Sequence, residues 1–351
     1  MSTTVDTKDT SAPIPATLIP GDGIGPEITA ATLLVLDALG HPFAFEEESA
    51  GAGAMAAHGD PVPAVTVEGI RRNRLALKGP LTTPIGSGFR SATVRLREEF
   101  QLYANVRPAR TLFTGGRFED VDVVLVRENT EGLYVGFEHY IPIGDDKKAV
   151  AEATGIITRE GCRRIARFAF DYALSHNRKK VTIVHKANIL KFLTGLFLET
   201  VRQVGESEAY CDSGLVIEDR IVDNCAMQLV LNPSQFDMIL TTNMFGDILS
   251  DEIAGLVGGL GLAPGGNIGR EVAIFEAVHG SAPDIAGQGI ANPCAMMLAA
   301  AMMLEHVDHH DQAGRLRAAL QRVLERKEAR TRDLGGQAST MDFARSVVAA
   351  L

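Results

Sequence analysis

Three aspartates have the type and spacing to hold a cation. Asp247 and Asp251 stand four residues apart at the start of a predicted helix, so both project from one face. Asp223 falls near the start of another helix, in Arg220-Ile221-Val222-Asp223. Hard divalent cations such as Mg2+ and Mn2+ take carboxylate oxygens and keep waters. The same placement also suits helix-dipole stabilisation, which needs no metal. Opposite in charge are Arg90, Arg95, Arg97, Arg107, Arg110 and Arg127, crowded into one stretch of chain. Arg107 and Arg127 adjoin the apolar segments Leu102–Val106 and Val121–Val126. An arginine at a strand end facing a cleft would clamp a carboxylate with its planar fork. Arg95 reads better as part of a solvated, salt-bridged helix face. Lys186 ends the apolar run Val181–His185, where burial would favour the neutral amine of a general base. Tyr134 follows Arg127–Glu131 and has the chemistry of a proton donor; a core tyrosine with its hydroxyl bonded is the alternative.

Two further patterns fail on inspection. Gly21-Asp22-Gly23-Ile24-Gly25 resembles a dinucleotide fingerprint, but Pro26 stands where the third glycine belongs, so a nucleotide site must be built otherwise. His306 and His310 are spaced for zinc, yet the polar stretch Glu305–Asp311 reads as an exposed helix end.

The elements that must position these residues alternate between strand and helix. Ala16–Pro20, Leu75–Lys78, Val121–Val126, Val181–His185 and Phe236–Thr241 are short and apolar, as strands require. Pro26–Leu39 has helical periodicity with Pro in its first turn. Thr158–Ser175 is amphipathic, with Thr158 as N-cap. A Gly246-Asp247 turn is expected to precede a helix running to about Val257. The alternation implies an α/β fold with functional residues at strand C-termini. Gly21–Gly25, Pro80–Gly88 and Gly258–Gly269 punctuate the chain as loops, and Gly136–Ala153 reads as a protruding hairpin or arm.

The chain has 351 residues, enough for two domains or one large one, with a formal charge of −10. That balance excludes nucleic-acid backbone binding, which needs clustered basic residues. It does not exclude an anionic substrate, because the local field decides what a cleft binds. The longest apolar run, Cys294–Leu304, is far short of the about 20 residues that span a bilayer. The start, through Ala16, lacks an apolar signal core and reads as a disordered leader. Cys162, Cys211, Cys225 and Cys294 show neither a CxxC pair nor zinc spacing, so a reducing, cytoplasmic setting is expected.

Seven ordered blocks together resemble the β-decarboxylating dehydrogenases, the isocitrate and isopropylmalate dehydrogenase family. They are Leu18–Glu27, Leu77–Gly86, Leu102–Pro108, Val126–Gly136, Val184–Lys191, Asn243–Gly261 and His279–Pro293, and the likeness spans Leu18 to about Phe343. The resemblance implies a two-domain α/β fold with a non-Rossmann nucleotide site and the active site in the cleft between domains. The large domain would be residues 1–105 with 257–351, the small one 106–256. It implies a homodimer or higher homo-oligomer with shared active sites, Lys186 and Asp223 coming from the partner chain. Asp247 and Asp251 match metal ligands of the home chain, with Asp223 the third, and the metal is Mg2+ or Mn2+. Arg97, Arg107 and Arg127 match the arginines that grip a tricarboxylate substrate, Tyr134 the general acid, and Lys186, through Asp247 or water, the base.

Substrate choice rests on Ser91 and Thr93. Ser91 matches the serine that isocitrate enzymes turn toward the γ-carboxylate; beside an isopropyl group its hydroxyl would lack a partner. Thr93 replaces the usual Asn and keeps homoisocitrate as a competitor. For the cofactor, Thr82, His279, Gly280, Ser281, Ala282, Pro283, Asp284, Ile285 and Asn292 match the nucleotide-binding positions. Asp284-Ile285 replaces the Lys-Tyr pair of NADP enzymes, and an aspartate would repel a 2′-phosphate, which implies NAD. The expected activity is NAD-dependent isocitrate dehydrogenation. The alternatives are homoisocitrate or 3-isopropylmalate dehydrogenation and, with the whole catalytic set present, less favourably a regulatory isocitrate dehydrogenase subunit.

Overall fold

A computed structural model describes residues 12–84 and 88–351. Residues 1–11 of the expected leader, and Ile85 and Gly86 of the second block, lie outside the described residues. The strands are β1 (Ile14–Ile19), β2 (Phe43–Glu47), β3 (Leu75–Lys78), β4 (Ala104–Arg110), β5 (Asp122–Glu128), β6 (Gly132–Ile143), β7 (Asp146–Ile156), β8 (Lys180–His185), β9 (Val216–Ile221), β10 (Met238–Thr241), β11 (Pro264–Ile268) and β12 (Ala273–Ala277). The helices are α1 (Gly25–Ala38), α2 (Ala52–His58), α3 (Ala64–Asn73), α4 (Ala92–Glu99), α5 (Arg159–Ser175), α6 (Leu193–Gly205), α7 (Val222–Leu231), α8 (Asn243–Val257), α9 (Cys294–His306), α10 (His310–Glu325) and α11 (Thr340–Val348). His306 therefore closes α9 while His310 opens α10, so the two do not share one helix face.

Ten strands form one sheet in the order β2-β1-β3-β12-β11-β4-β5-β10-β8-β9. Two parallel blocks, β2-β1-β3-β12 and β5-β10-β8-β9, are joined at the centre by β11 and β4, which pair antiparallel to their neighbours. The short strands are buried on both faces, as sheets flanked by crossover helices require. Strands β6 and β7 form a separate two-stranded ribbon with mostly exposed side chains, the expected arm.

Two local expectations change. The stretch Gly258–Gly269 is not loop throughout: Pro264–Ile268 is buried central strand. A Cβ on Gly266 would sit 3.1 Å from the Phe275 ring, so glycine here serves close packing rather than a turn. Likewise Gly246-Asp247 is not a turn. Helix α8 begins at Asn243 and runs through both residues, placing Asp247 beyond its first turn. A Cβ on Gly246 would meet the aliphatic stem of Arg127 at 2.6 Å, so this glycine lets α8 lie directly on that buried arginine.

Candidate active site

Register builds the site. Across the centre of the sheet, Asn267 of β11 pairs with Asn105 of β4, and Asn105 with Arg127 of β5. Directly paired residues share a face, and residues two apart along a strand do too. Arg107 therefore joins that face, as does Glu276 of β12, which is registered with Lys78 of β3. The opposite face is apolar, with Val106, Val124 and Val126 in the main core. Helix α8 covers the polar face and brings Asn243, Asp247, Ser250 and Asp251 onto it.

The result is one hydrogen-bonded chain of buried polar groups. Lys78 Nζ lies 2.6 Å from Glu276, and Arg97 from α4 approaches the same carboxylate at 3.6 Å. Asn267 donates to Glu276 at 2.7 Å while its oxygen accepts from Asn105, Asn129 and Arg97. Arg107 donates to Asn105 at 2.6 Å and to Ser250 at 2.5 Å, and its Nη1 lies 3.3 Å from Asp247 and 3.5 Å from Asp251. Arg127 donates to Asn243 and forms an ion pair with Asp247. Tyr134 donates to the other Asp247 oxygen at 2.5 Å, beneath the Arg127 guanidinium.

The electrostatics follow from burial. Burial opposes the Glu276 carboxylate, but Lys78 and Arg97 hold it down at about 2. Burial lowers Arg127, as do the charges of Arg107 and Arg97, to about 9, which leaves it cationic at neutral pH. Asp247 is disfavoured by burial yet kept below the usual carboxylate range by Arg127, Arg107 and the Tyr134 hydroxyl. Asp251 moves the other way: burial raises it and Asp247 adds to the rise, against the pull of Arg107. Burial, reinforced by Asp247, raises the Tyr134 phenol and keeps its proton in place. Four cations thus face three carboxylates in this cluster.

The structure brings Arg97, Arg107, Arg127, Tyr134, Asp247 and Asp251 together. Ser91 is the N-cap of α4, accepting from the Val94 amide at 3.4 Å, and sets Thr93 and Arg97 on that helix. Lys186 and Asp223 stand apart: they pair with each other, and that contact holds the Asp223 carboxyl below its usual range. Within one chain, no group of three His, Cys, Asp or Glu side chains placed to hold a metal occurs among the described residues. Arg95 pairs with Asp60, as the salt-bridged reading expects. Lys78, Glu276, Asn105 and Asn267 were missed, although a lysine and a glutamate in otherwise apolar strands were a visible signal.

A second concavity of about 470 Å3 is lined by His279, Gly280, Ala282, Ile285 and Asn292, all anticipated. Ile24, Gly261, Arg332 and Asp333 line it as well and were not anticipated. The loop Gly21–Gly25 is clamped rather than open: Asp22 accepts from the amides of Ala52, Gly53 and Thr82. The Thr82 hydroxyl lies 2.7 Å from that of Ser281. Pro283 and Asp284 are exposed at the margin. Burial lowers His279, and with Nδ1 bonded to the Gly280 carbonyl its Nε2 is a buried acceptor without a partner.

The family model described as isocitrate/isopropylmalate dehydrogenase matches residues 16–347. The chain belongs to the isocitrate/isopropylmalate dehydrogenase family. Among members of this family, the NAD isocitrate dehydrogenase catalytic subunit 5, mitochondrial, of Arabidopsis thaliana is 45% identical over 96% of this chain and 88% of its own length. The isocitrate/homoisocitrate dehydrogenase of Thermus thermophilus is 50% identical, covering 95% of this chain and 97% of that protein. The crystal structure of isocitrate dehydrogenase from Methylococcus capsulatus superposes with a TM-score of 0.92 at 51% identity, covering 96% and 98% of the two chains. The expected α/β family fold is therefore the observed one.

Proposed function

We propose that the chain is an NAD-dependent isocitrate dehydrogenase that oxidises and decarboxylates isocitrate to 2-oxoglutarate and CO2. The observation that carries the reading is the excess of buried cations on the polar sheet face, which a polyanionic tricarboxylate answers. The named relatives support the choice of isocitrate and of NAD. The donor set suits Mg2+ or Mn2+: Asp247 and Asp251 offer hard oxygens from one helix face, and neither is sealed from solvent. Asp223 of a second chain is the third ligand we assign. The cavity beside His279 suits NAD, since Ile24, Ala282 and Ile285 give it aliphatic walls and Asn292 and Asp333 supply polar groups. The exposed Asp284 carboxylate supports NAD over NADP.

In this reading a cation held by Asp247 and Asp251 would supply Lewis acidity toward the 2-hydroxy acid, and bound NAD would be the hydride acceptor. Arg97, Arg107 and Arg127 grip carboxylates, and Ser91 with Thr93 holds the far carboxylate. Lys186 of a second chain takes the hydroxyl proton as the carbon-bound hydrogen leaves as hydride. The β-keto acid then loses CO2. Tyr134, held by Asp247, gives its proton to the carbon left behind. The cleft would lie between a large domain (1–105 with 257–351) and a small one (106–256). Exposed Phe192, Ile189 and Leu231, near Lys186 and on α7, support a homodimer or larger homo-oligomer. Free, buried Cys162, Cys225 and Cys294 support a reducing compartment, and we place the enzyme in the cytoplasm.

The Thermus relative favours one second reading, action on homoisocitrate as well. The test is kcat/KM for isocitrate, homoisocitrate and 3-isopropylmalate with NAD and Mn2+. Isocitrate preferred supports the proposal; a clear preference for another acid overturns it.

A further inference from the structure

On the sheet face opposite Arg107 and Arg127, helix α5 packs into the main core. Its outer stripe, with Tyr103 just before β4 and the β11–β12 turn, borders an open cleft of about 490 Å3. The floor is aromatic. Tyr103 and Phe168 meet edge-to-face at 6.0 Å, and Phe168 stacks on Tyr172 at 6.2 Å. The rim is basic: Arg164 and Arg167 from α5 and Arg270 from the turn.

None of these three arginines forms an ion pair among the described residues, whereas their neighbours Arg163 and Arg178 do. Arg164 lies 4.5 Å over the Tyr103 ring and donates to Thr130, while its Nε is buried with no partner. The two carboxylates at the rim are engaged elsewhere. Asp171 accepts from the Tyr210 hydroxyl at 2.8 Å, and Glu160 faces Arg163 at 3.8 Å. A bare oxyanion would satisfy guanidiniums but leave most of the volume and the aromatic carbon that Tyr103 and Phe168 turn to the cleft unused. A ligand carrying both a planar ring and an anionic group satisfies both.

We propose that this cleft is a second ligand site, taking a planar-ring anion of mononucleotide size, its ring against Tyr103 and Phe168 and its anionic group on Arg164, Arg167 and Arg270. The site is independent of the proposed reaction, and its test needs no turnover. The oligomeric enzyme, saturated with NAD, is titrated calorimetrically with GMP, ribose 5-phosphate and inorganic phosphate. We expect one GMP per chain and at least about tenfold weaker binding of the two probes that lack a planar ring. Arg167→Gln with Arg270→Gln, both exposed residues, should weaken GMP by about tenfold or more and leave kcat/KM unchanged without GMP. No saturable binding up to millimolar GMP, loss of binding when NAD is present, or equal binding to the double variant would each overturn the site.

Discussion

Replacing Glu276 by Gln removes one buried charge while keeping the shape and the acceptor that Asn267 uses. In the native protein this carboxylate lies 2.6 Å from Lys78 and 3.6 Å from Arg97, all nearly sealed from water. Its depression from the ordinary carboxylate range to about 2 corresponds to roughly 3 kcal/mol at ~1.4 kcal/mol per unit. Breaking a buried pair by removing one partner costs about 3–5 kcal/mol, the same range. The sign with pH is fixed. A group whose folded pKa is depressed contributes stability that is complete above its unfolded pKa and lost as pH falls through the folded one. Glu276→Gln should therefore lower unfolding free energy by about 3–5 kcal/mol from pH 8 to pH 5, and the gap to the parent should shrink only below the usual carboxylate pKa, toward pH 2. Urea unfolding at fixed protomer concentration, followed by circular dichroism, measures it. Parent-like stability at pH 7, or a gap that already closes between pH 8 and 6, would refute the role given to this ion pair.

Three other outcomes are expected. Tyr134→Phe should cut oxidative decarboxylation of isocitrate by about 10²–10⁴-fold while reduction of a supplied β-keto acid by NADH survives; equal loss of both would remove Tyr134 from proton delivery. Lys186→Ala and Asp247→Asn chains, each inactive alone, should regain up to about a quarter of parental activity when unfolded and refolded together, because one site in each hybrid dimer is whole; no recovery would mean that Lys186 serves its own chain. Asp284→Lys should raise kcat/KM for NADP relative to NAD by about tenfold or more, since it exchanges repulsion of the 2′-phosphate for attraction; an unchanged ratio would remove Asp284 from cofactor choice.

Much of this was legible in the chain itself. Strand-helix alternation placed β3, β5, β8 and β10 within a residue or two, and Thr158 caps α5 as expected through its bond to the Gly161 amide. Arg107, Arg127 and Asp247 were recognisable because each sits in or beside an apolar run or within an ordered block. Asn267 was not. Its role as the point where Asn105, Asn129, Arg97 and Glu276 meet depends on the register of β11 against β4 and β12, residues far apart in the chain. Glycine misled twice for one reason. Gly246 and Gly266 look like turn residues, but each makes room for a large side chain against a regular element. Asp333 escaped because it reaches the cavity beside His279 through a bond to Asn292 across 41 positions of sequence.

If a cation on Asp247 and Asp251 completes the positive charge of the cleft in this protein of net charge −10, substrate affinity must depend on it. Calorimetric titration of isocitrate into the enzyme, once with saturating Mn2+ and once in excess chelator, tests this directly. Tight binding is expected with the metal and at least about 100-fold weaker binding without it. Equal affinity in the two conditions would contradict that dependence.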